Sequence, residues 1–467
     1  MHKLFLVFLV IITWSMPGLA QTLDAQTGID NIIRKYNPNL NIGISVQSIN
    51  TGKVIYQRNA NQLFMPASSL KILTGAAALS YLGHDYKFQT KILAKNTAVK
   101  QGSLEDVYFY FDGDPTLKRS DLDALVKGLA TLGVTNIRKV HIDNTIFDQA
   151  NFGPGWMWDE RNFCYAAPVS AIAIDKNCFP VRVAPSKQAG QKAIIYRNRF
   201  QSFIPMYNEV ISESPVTDEC VLDLRTNDNN DYYFSGCVAA RSANIDFQVA
   251  IRNINLYTQK TLEMMLAQYG IQYGAIDFRS APGNFAVLAT HESKPLSYLV
   301  KVMLKKSDNL IANSLYKKLA YAYFNNTGTW ESGAKALASI LGKNSGIDFK
   351  HIKIVDGAGL SRYNLVSPNA LVALLNYAYR DKVINFYFIR ALPFAGIDGH
   401  LAYRMPQLHG RVKAKTGTMK SITSLAGYVD TASQQVFSFA IIINDFVEHP
   451  RKYQKLEDEI CSYLARF

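Results

Sequence analysis

Pro66-Ala67-Ser68-Ser69-Leu70-Lys71 leads into Ile72-Leu73-Thr74-Gly75-Ala76-Ala77-Ala78-Leu79-Ser80-Tyr81-Leu82 and stops at Gly83. The second stretch is rich in Ala and Leu and carries no charge after Lys71, which predicts a buried helix over 72–82 with Gly83 as its stop. Ser68 and Lys71 stand three residues apart at the start of that helix, so both side chains lie on one face within reach of each other. The helix N-terminus favours negative charge on the serine oxygen. Lys71, followed by Ile72 and Leu73, is partly desolvated; burial disfavours its ammonium form, and a neutral amine there takes the Ser68 proton. The S-x-x-K pattern alone is common, and Ser314 to Lys317, within a helical stretch, and Ser332 to Lys335 fit it too.

Two further short motifs carry chemistry. Ser307-Asp308-Asn309 falls between helices predicted over 296–305 and 310–323, where Ser307 passes a proton to a leaving amine and Asn309 binds a substrate amide. A helix-capping role for Ser307 or Asp308 is the alternative reading, and Ser48-Ile49-Asn50, Ser242-Ala243-Asn244 and Ser367-Pro368-Asn369 share the pattern. Lys415-Thr416-Gly417-Thr418 is the only K-T-G in the chain. It ends a strand predicted over 411–415, where Gly417 permits close backbone approach and Lys415 with Thr416 and Thr418 holds a carboxylate.

Around these motifs the pattern is mixed, an α/β (α+β) chain. A helix is predicted over 29–36, and strands over 42–47 and 53–57 are joined by the Asn50-Thr51-Gly52 turn. From 87 to 249 the character changes to short β-like runs, at 107–111, 193–196 and 221–224, separated by Gly, Pro, Asn and Asp. This portion reads as an insertion. Helical pattern returns over 258–269, and the chain closes with strands over 411–415, 424–430 and 436–444 and a helix over 453–466. Short turns between the last three strands predict an antiparallel sheet, with helices from both chain ends covering one face.

Of 467 residues, 48% are hydrophobic and 19% charged, which excludes disorder, coiled coil and collagen as the main architecture. A formal charge of +13 suits nucleic acid, an acidic lipid surface or a cell-wall polymer. His2 and Lys3 precede an apolar run over 4–16, and Pro17-Gly18-Leu19-Ala20 follows it. That is the form of a secretory signal over 1–20, cleaved after Ala20 and too short to span a bilayer. Export sets nucleic acid aside and leaves at most peripheral membrane association. It also makes the cysteines disulfide candidates. Cys164, Cys178, Cys220 and Cys237 show no CxxC and no nearby His pair, so neither a zinc site nor a redox motif is expected. We expect the two local pairings, Cys164 with Cys178 and Cys220 with Cys237, with Cys461 free in the last helix. No metal or organic cofactor is expected.

Ser68 to Lys71, Ser307 to Asn309 and Lys415 to Thr418, in that order, are the motif set of penicillin-binding proteins and class A β-lactamases. At these residues the chain resembles the penicillin-recognising serine acyltransferases. Residues 72–306 are far more than a compact β-lactamase places between the first two motifs. Such an insertion is similar to that of the D-alanyl-D-alanine carboxypeptidase/endopeptidases of the penicillin-binding protein 4 type, class C of low molecular mass. Further likeness lies at Gly113-Asp114-Pro115-Thr116-Leu117, Gly153-Pro154-Gly155-Trp156, Asp356-Gly357-Ala358-Gly359-Leu360-Ser361-Arg362, 392–399 and Leu425-Ala426-Gly427. Ala358 departs from the Ser that family often has.

The resemblance implies a transpeptidase/β-lactamase-like catalytic domain I, an antiparallel sheet flanked by helices, over 22–93 and 282–467. It also implies a β-rich domain II over 94–163 and 241–281, with domain III, over 164–240, nested inside it. It implies a periplasmic serine D,D-carboxypeptidase and D,D-endopeptidase acting on peptidoglycan stem peptides and crosslinks and acylated by β-lactams. Ser68 would be the nucleophile, Lys71 the general base and Ser307 the proton relay, with Asn309 and Lys415 beside them. Thr416, Gly417 and Thr418 would take the terminal carboxylate, and the backbone N–H groups of Ser68 and Thr418 the oxyanion. Asp143, Phe147 and Arg362 would read a diaminopimelate side chain. A serine β-lactamase, which would share Ser68, Lys71 and Ser307, is the alternative.

Overall fold

The first and last strands of the chain share one sheet. In the computed structural model, which describes residues 17–95, 99–198 and 201–467 and side chains from Ala25 onward, five antiparallel strands lie in the order Val412–Met419, Ile422–Asp430, Val436–Asn444, Ile42–Ser48 and Val54–Arg58. The apolar run over 4–16 lies outside the described residues. Ile42 pairs with Ile443 and Ile44 with Ile441, so the amino-terminal hairpin is zipped to the carboxy-terminal meander.

Both faces of this sheet are covered, which is why its strands read as almost unbroken apolar runs rather than as alternation. One face sends Ile44, Val46, Phe439 and Ile441 against the helices Pro17–Tyr36 and Arg451–Leu464, through Ile29, Ile33, Leu456 and Ile460. The other sends Ala426, Tyr428, Ala440 and Ile442 into a helical cluster built from Lys71–Tyr81, Leu296–Lys306, Asn309–Phe324, Trp330–Ser345 and Pro368–Arg380. Each such Leu or Ile contributes about 1.5–3 kcal/mol relative to an exposed one. At the centre is the helix Lys71–Tyr81, buried from Lys71 through Leu79. A Cβ on Gly75 would meet Met303 at 3.1 Å, so this helix packs closely on Leu296–Lys306.

The inserted portion carries its own sheets. Six strands pair around Ser103–Phe111 and Asn136–Asp143, which run parallel and are joined through the helix Arg119–Thr131. That helix was not expected among the β-like runs, because Arg119, Asp121, Asp123 and Lys127, which lie off its apolar stripe, give the stretch the charge of a loop. Its buried residues, Leu122, Leu125, Val126 and Leu129, keep helical spacing. Further along are a three-stranded and a four-stranded sheet, the latter drawn wholly from 206–239. Strand pairing crosses the expected limits. Gln89–Ala94 and Ala286–Glu292, placed by the limits at 93 and 282 largely with the catalytic portion, pair with each other in the six-stranded sheet. Ile245–Ala250 pairs with Cys178–Ala184 across the limit at 240.

The disulfides Cys164–Cys178 and Cys220–Cys237 are formed as expected, and Cys461 is a buried free thiol. Among the described residues, no helix is long and apolar enough to cross a membrane.

Candidate active site

Ser68 sits in a single 3-10 turn, Ala67–Leu70, that runs straight into the helix beginning at Lys71. In a 3-10 turn side chains three apart eclipse, so Ser68 and Lys71 are stacked more directly than a regular helix would set them. Ala67, just before Ser68, has φ +47° and is buried. Two glycines allow other elements to clamp this strained turn. A Cβ on Gly359 (φ +76°) would lie 1.9 Å from the Ala67 carbonyl oxygen, and one on Gly417 would lie 2.9 Å from Ser68 N. Ser69 and Ser424 both donate to the Pro66 carbonyl, at 2.8 and 2.6 Å.

Lys71 Nζ has three neighbours: Asn309 Oδ1 at 2.6 Å, the Ala358 carbonyl at 2.7 Å and Ser68 Oγ at 2.9 Å. The first two only accept, and Asn309 is oriented by its Nδ2, which donates to the Tyr165 carbonyl at 2.7 Å. A neutral amine offers two N–H donors and one lone pair. With both donors spent, the lone pair is left for the Ser68 hydroxyl. Burial pushes the Lys71 pKa down to about 7, against the pull of Asp356 and then Asp308.

Ser307 ends the helix Leu296–Lys306 in a left-handed conformation, φ +56°, and Asp308 caps the next helix by accepting from Ile311 N at 3.0 Å. Capping and a place in the site thus coexist in one turn. Lys415 Nζ donates to Ser307 Oγ at 3.0 Å and to the Thr416 carbonyl at 2.6 Å. Burial first, and the charge of Lys71 second, hold the Lys415 pKa well below its usual value. The K-T-G-T segment, expected at the end of a strand over 411–415, is itself part of the edge strand Val412–Met419, which stops one residue after it; Gly417 is opposite Ser424 and Thr418 opposite Thr423. Thr-Gly-Thr reads as a turn, yet the chain reverses only after it, at Ser421 (φ +64°).

Behind Lys71, the fully buried Asp356 carboxylate accepts five hydrogen bonds: from Ala358 N, Gly359 N and Asn364 on one oxygen, and from Trp156 Nε1 and Ser361 N on the other. It shapes the loop that presents the Ala358 carbonyl to Lys71, and Trp156 ties the inserted portion to it.

Ser68, Ser307, Asn309 and Thr418 open on one cavity of about 330 Å³, whose walls also include Glu160 and Tyr165. A larger hollow of about 940 Å³, lined by residues such as Thr116, Asp121 and His291, contains none of the motif residues. The chemistry follows the smaller one. Asp143 and Phe147 are not in its wall. Asp143 is buried and spent on Thr145 and Ala281 N, and Phe147 is buried under Gly113. Arg362 is half-buried and faces Glu160. The Glu160 pKa is raised by burial and by Asp159, and Arg362 opposes that rise. Glu160 Oε2 is buried without a hydrogen-bond partner. Sequence reading passed over Glu160 and Tyr165; their one signal was the nearby Gly153-Pro154-Gly155-Trp156.

A serine under an amine lone pair, beside an antiparallel edge strand and a helical cluster, is equipped for acyl transfer, and the fold is that of the penicillin-recognising serine enzymes. The profile of the D-Ala-D-Ala carboxypeptidase 3 (S13) family matches residues 25–466. The chain is 31% identical to the D-alanyl-D-alanine carboxypeptidase DacB of Haemophilus influenzae, over 94% of this chain and 91% of that one. It superposes on the crystal structure of penicillin-binding protein 4 from the same organism with a TM-score of 0.87 at 30% identity, covering 94% and 99%. The same protein complexed with a β-lactam gives a TM-score of 0.83 at 29% identity, with the same coverage. The chain belongs to the S13 family and is a D-Ala-D-Ala carboxypeptidase of the penicillin-binding protein 4 type.

Proposed function

We propose that this carboxypeptidase works through an acyl-enzyme on Ser68, removes the terminal D-alanine of peptidoglycan stem peptides, and also cleaves D-alanine-to-diaminopimelate crosslinks in the periplasm. The observation that carries the reading is the hydrogen-bond set of Lys71, whose lone pair is left for Ser68 Oγ. Lys71 takes the Ser68 proton as the oxygen attacks the penultimate D-alanine carbonyl. The N–H groups of Ser68 and Thr418 hold the oxyanion, each worth about 2.7–4 kcal/mol in such sites. Ser307, in contact with Lys415, relays the proton to the departing amine. The terminal carboxylate lies against Lys415, Thr416 and Thr418, and its charge favours the Lys415 ammonium that burial disfavours. Water then releases the acyl group. In an endopeptidase reaction the leaving amine belongs to a second stem.

The division into a catalytic domain I and nested domains II and III is kept in this reading, with borders that keep paired strands together. The acidic wall residue that meets the amine of the substrate's diamino acid is Glu160, in place of Asp143, and Arg362 takes that diamino acid's carboxylate. Replacing Glu160 by Gln lowers kcat/KM on a diaminopimelate-containing peptide about tenfold and leaves a peptide with alanine at that position unchanged; equal losses on both would remove the specificity role.

β-Lactams acylate Ser68 in the same way, a reading supported by the likeness to a relative solved with such a compound. Incubation with fluorescent penicillin should give a stable adduct, mapped by mass analysis to Ser68 and absent in Ser68→Ala. Labelling that persists in Ser68→Ala defeats the assignment, and an adduct that vanishes within seconds makes the protein a β-lactamase.

A further inference from the structure

Asp175, Lys176 and Asn177 have successive φ values of +48°, +63° and +53°, and none is glycine. Consecutive left-handed non-glycine residues persist only where the surroundings over-determine them, and such strain gathers at functional sites. Here the turn is pinned throughout. Asp175 N donates to the Leu117 carbonyl at 2.9 Å, and Asp175 Oδ1 accepts from Arg119 N at 3.2 Å. Asn177, fully buried, donates to the Pro168 and Ile172 carbonyls, and its own carbonyl accepts from Ile251 N at 2.8 Å.

This turn presents Lys176. Its Nζ reaches from the inserted portion to Asp308 Oδ2, at 2.6 Å. Asp308 is the middle residue of the Ser307 to Asn309 turn, its side chain only 10% exposed, and its other oxygen caps the helix that carries Asn309. Thus one carboxylate fixes the turn and faces the catalytic lysine. The charged and titratable groups around Lys71 are Asp356 behind its loop, Asp308, Lys415 on the edge strand, and His400, whose proton affinity responds to both lysines. Among the described residues, Asp308 is the member of this set that has a cation brought to it by the insertion.

We propose that Lys176 is a positioning residue for the catalytic site: its ammonium holds Asp308 in place and offsets the field that this carboxylate exerts on Lys71. The inserted portion thereby sets the pH at which the nucleophile can be activated. The proposal rests on the reading of Ser68 as the acylated residue and Lys71 as its base.

The sign follows from charge. An uncompensated Asp308 favours the Lys71 ammonium, which cannot take a proton, so acylation at low pH slows when Lys176 is lost. The test is the rate of Ser68 acylation by fluorescent penicillin over a pH series. Lys176→Met should move the acid limb toward alkaline pH by about half a unit, about a threefold slower reaction at a pH below the midpoint. Lys176→Arg should keep the limb in place, and Asp308→Asn should move it the other way. Once Asp308 is Asn, adding Lys176→Met should do nothing more. A loss of equal size at every pH in Lys176→Met, or a shift that persists without the Asp308 carboxylate, overturns the proposal. If Lys176→Met does not fold, Asp308→Asn decides by itself, and an unmoved limb overturns it. A wild-type protein that is never labelled at Ser68 fails the underlying acyl-serine reading, a result separate from any behaviour of Lys176.

Discussion

Lys71 shows how a residue's chemistry is set by what it lacks. Its burial removes the water that would favour the ammonium, and the pKa falls to about 7 even though Asp356 and Asp308 pull it upward. Only the neutral amine accepts the Ser68 proton, so acylation should rise with pH through a midpoint near that value and fall about tenfold for each unit below it. A rate profile with fluorescent penicillin checks this; a flat profile between about pH 5 and 8 would mean that another group is the base. Arginine cannot supply a neutral form in this range. Lys71→Arg should therefore reduce acylation by about 10²- to 10⁴-fold at every pH, measured beside a thermal melt to show that the fold survives. The motif residues were readable because their types announce the chemistry at short spacing. Glu160 and Tyr165 were not, since the tertiary path of the insertion alone carries them to the cavity wall. Asp143, expected at the site, lies outside the wall of this cavity. An acidic residue in a polar stretch looks available, but its carboxylate is taken by Thr145 in its own turn and by the distant Ala281 N.

Elements hold these residues by close approach of backbone. The loop from Asp356 to Arg362 is packed so tightly on the nucleophile turn that glycine alone fits at 359. One carboxylate folds it. Asp356→Asn would turn one of the two accepting oxygens into a donor facing other donors, leaving buried N–H groups unpaired at a cost of about 3 kcal/mol. It should also move the midpoint of acylation toward acid, because Asp356 is the larger of the two negative fields acting on Lys71. Thermal melts and the pH–rate profile together test this: lost stability with an unmoved midpoint would make Asp356 a scaffold residue alone. Among the elements, the apolar strands and the nucleophile helix were legible from composition. The strand carrying Lys415 was read as too short, because an edge strand tolerates Thr-Gly-Thr where one face meets the Ser68 turn. The helix Arg119–Thr131 was missed, since its solvent face is as charged as a loop.

At the scale of the whole molecule, the five-stranded sheet closes only when the two ends of the chain meet, and all five of its strands come from outside 95 to 285. The inserted stretch was visible in the sequence as a change of texture, while its strand pairing, a matter of backbone hydrogen bonds, was not. The full chain carries +13, and that charge acts on a polymer differently from a small ligand. Stem peptides on an intact wall carry many carboxylates, and a basic protein gains association rate by steering, on the order of 10- to 10³-fold at low ionic strength. Salt shortens the reach of that field from about 10 Å at 0.1 M to about 3 Å at 1 M. The contacts inside the cavity are buried and are screened much less. Release of D-alanine from purified wall polymer should therefore fall several-fold as salt is raised across this range, while acylation by penicillin, which depends on the local site, should change by less than about twofold. Parallel assays of the two reactions in the same salt series decide the matter. Equal declines would place the salt effect in the cavity itself, at Lys415 and the carboxylate it binds, and would leave the surface charge with no part in finding the wall.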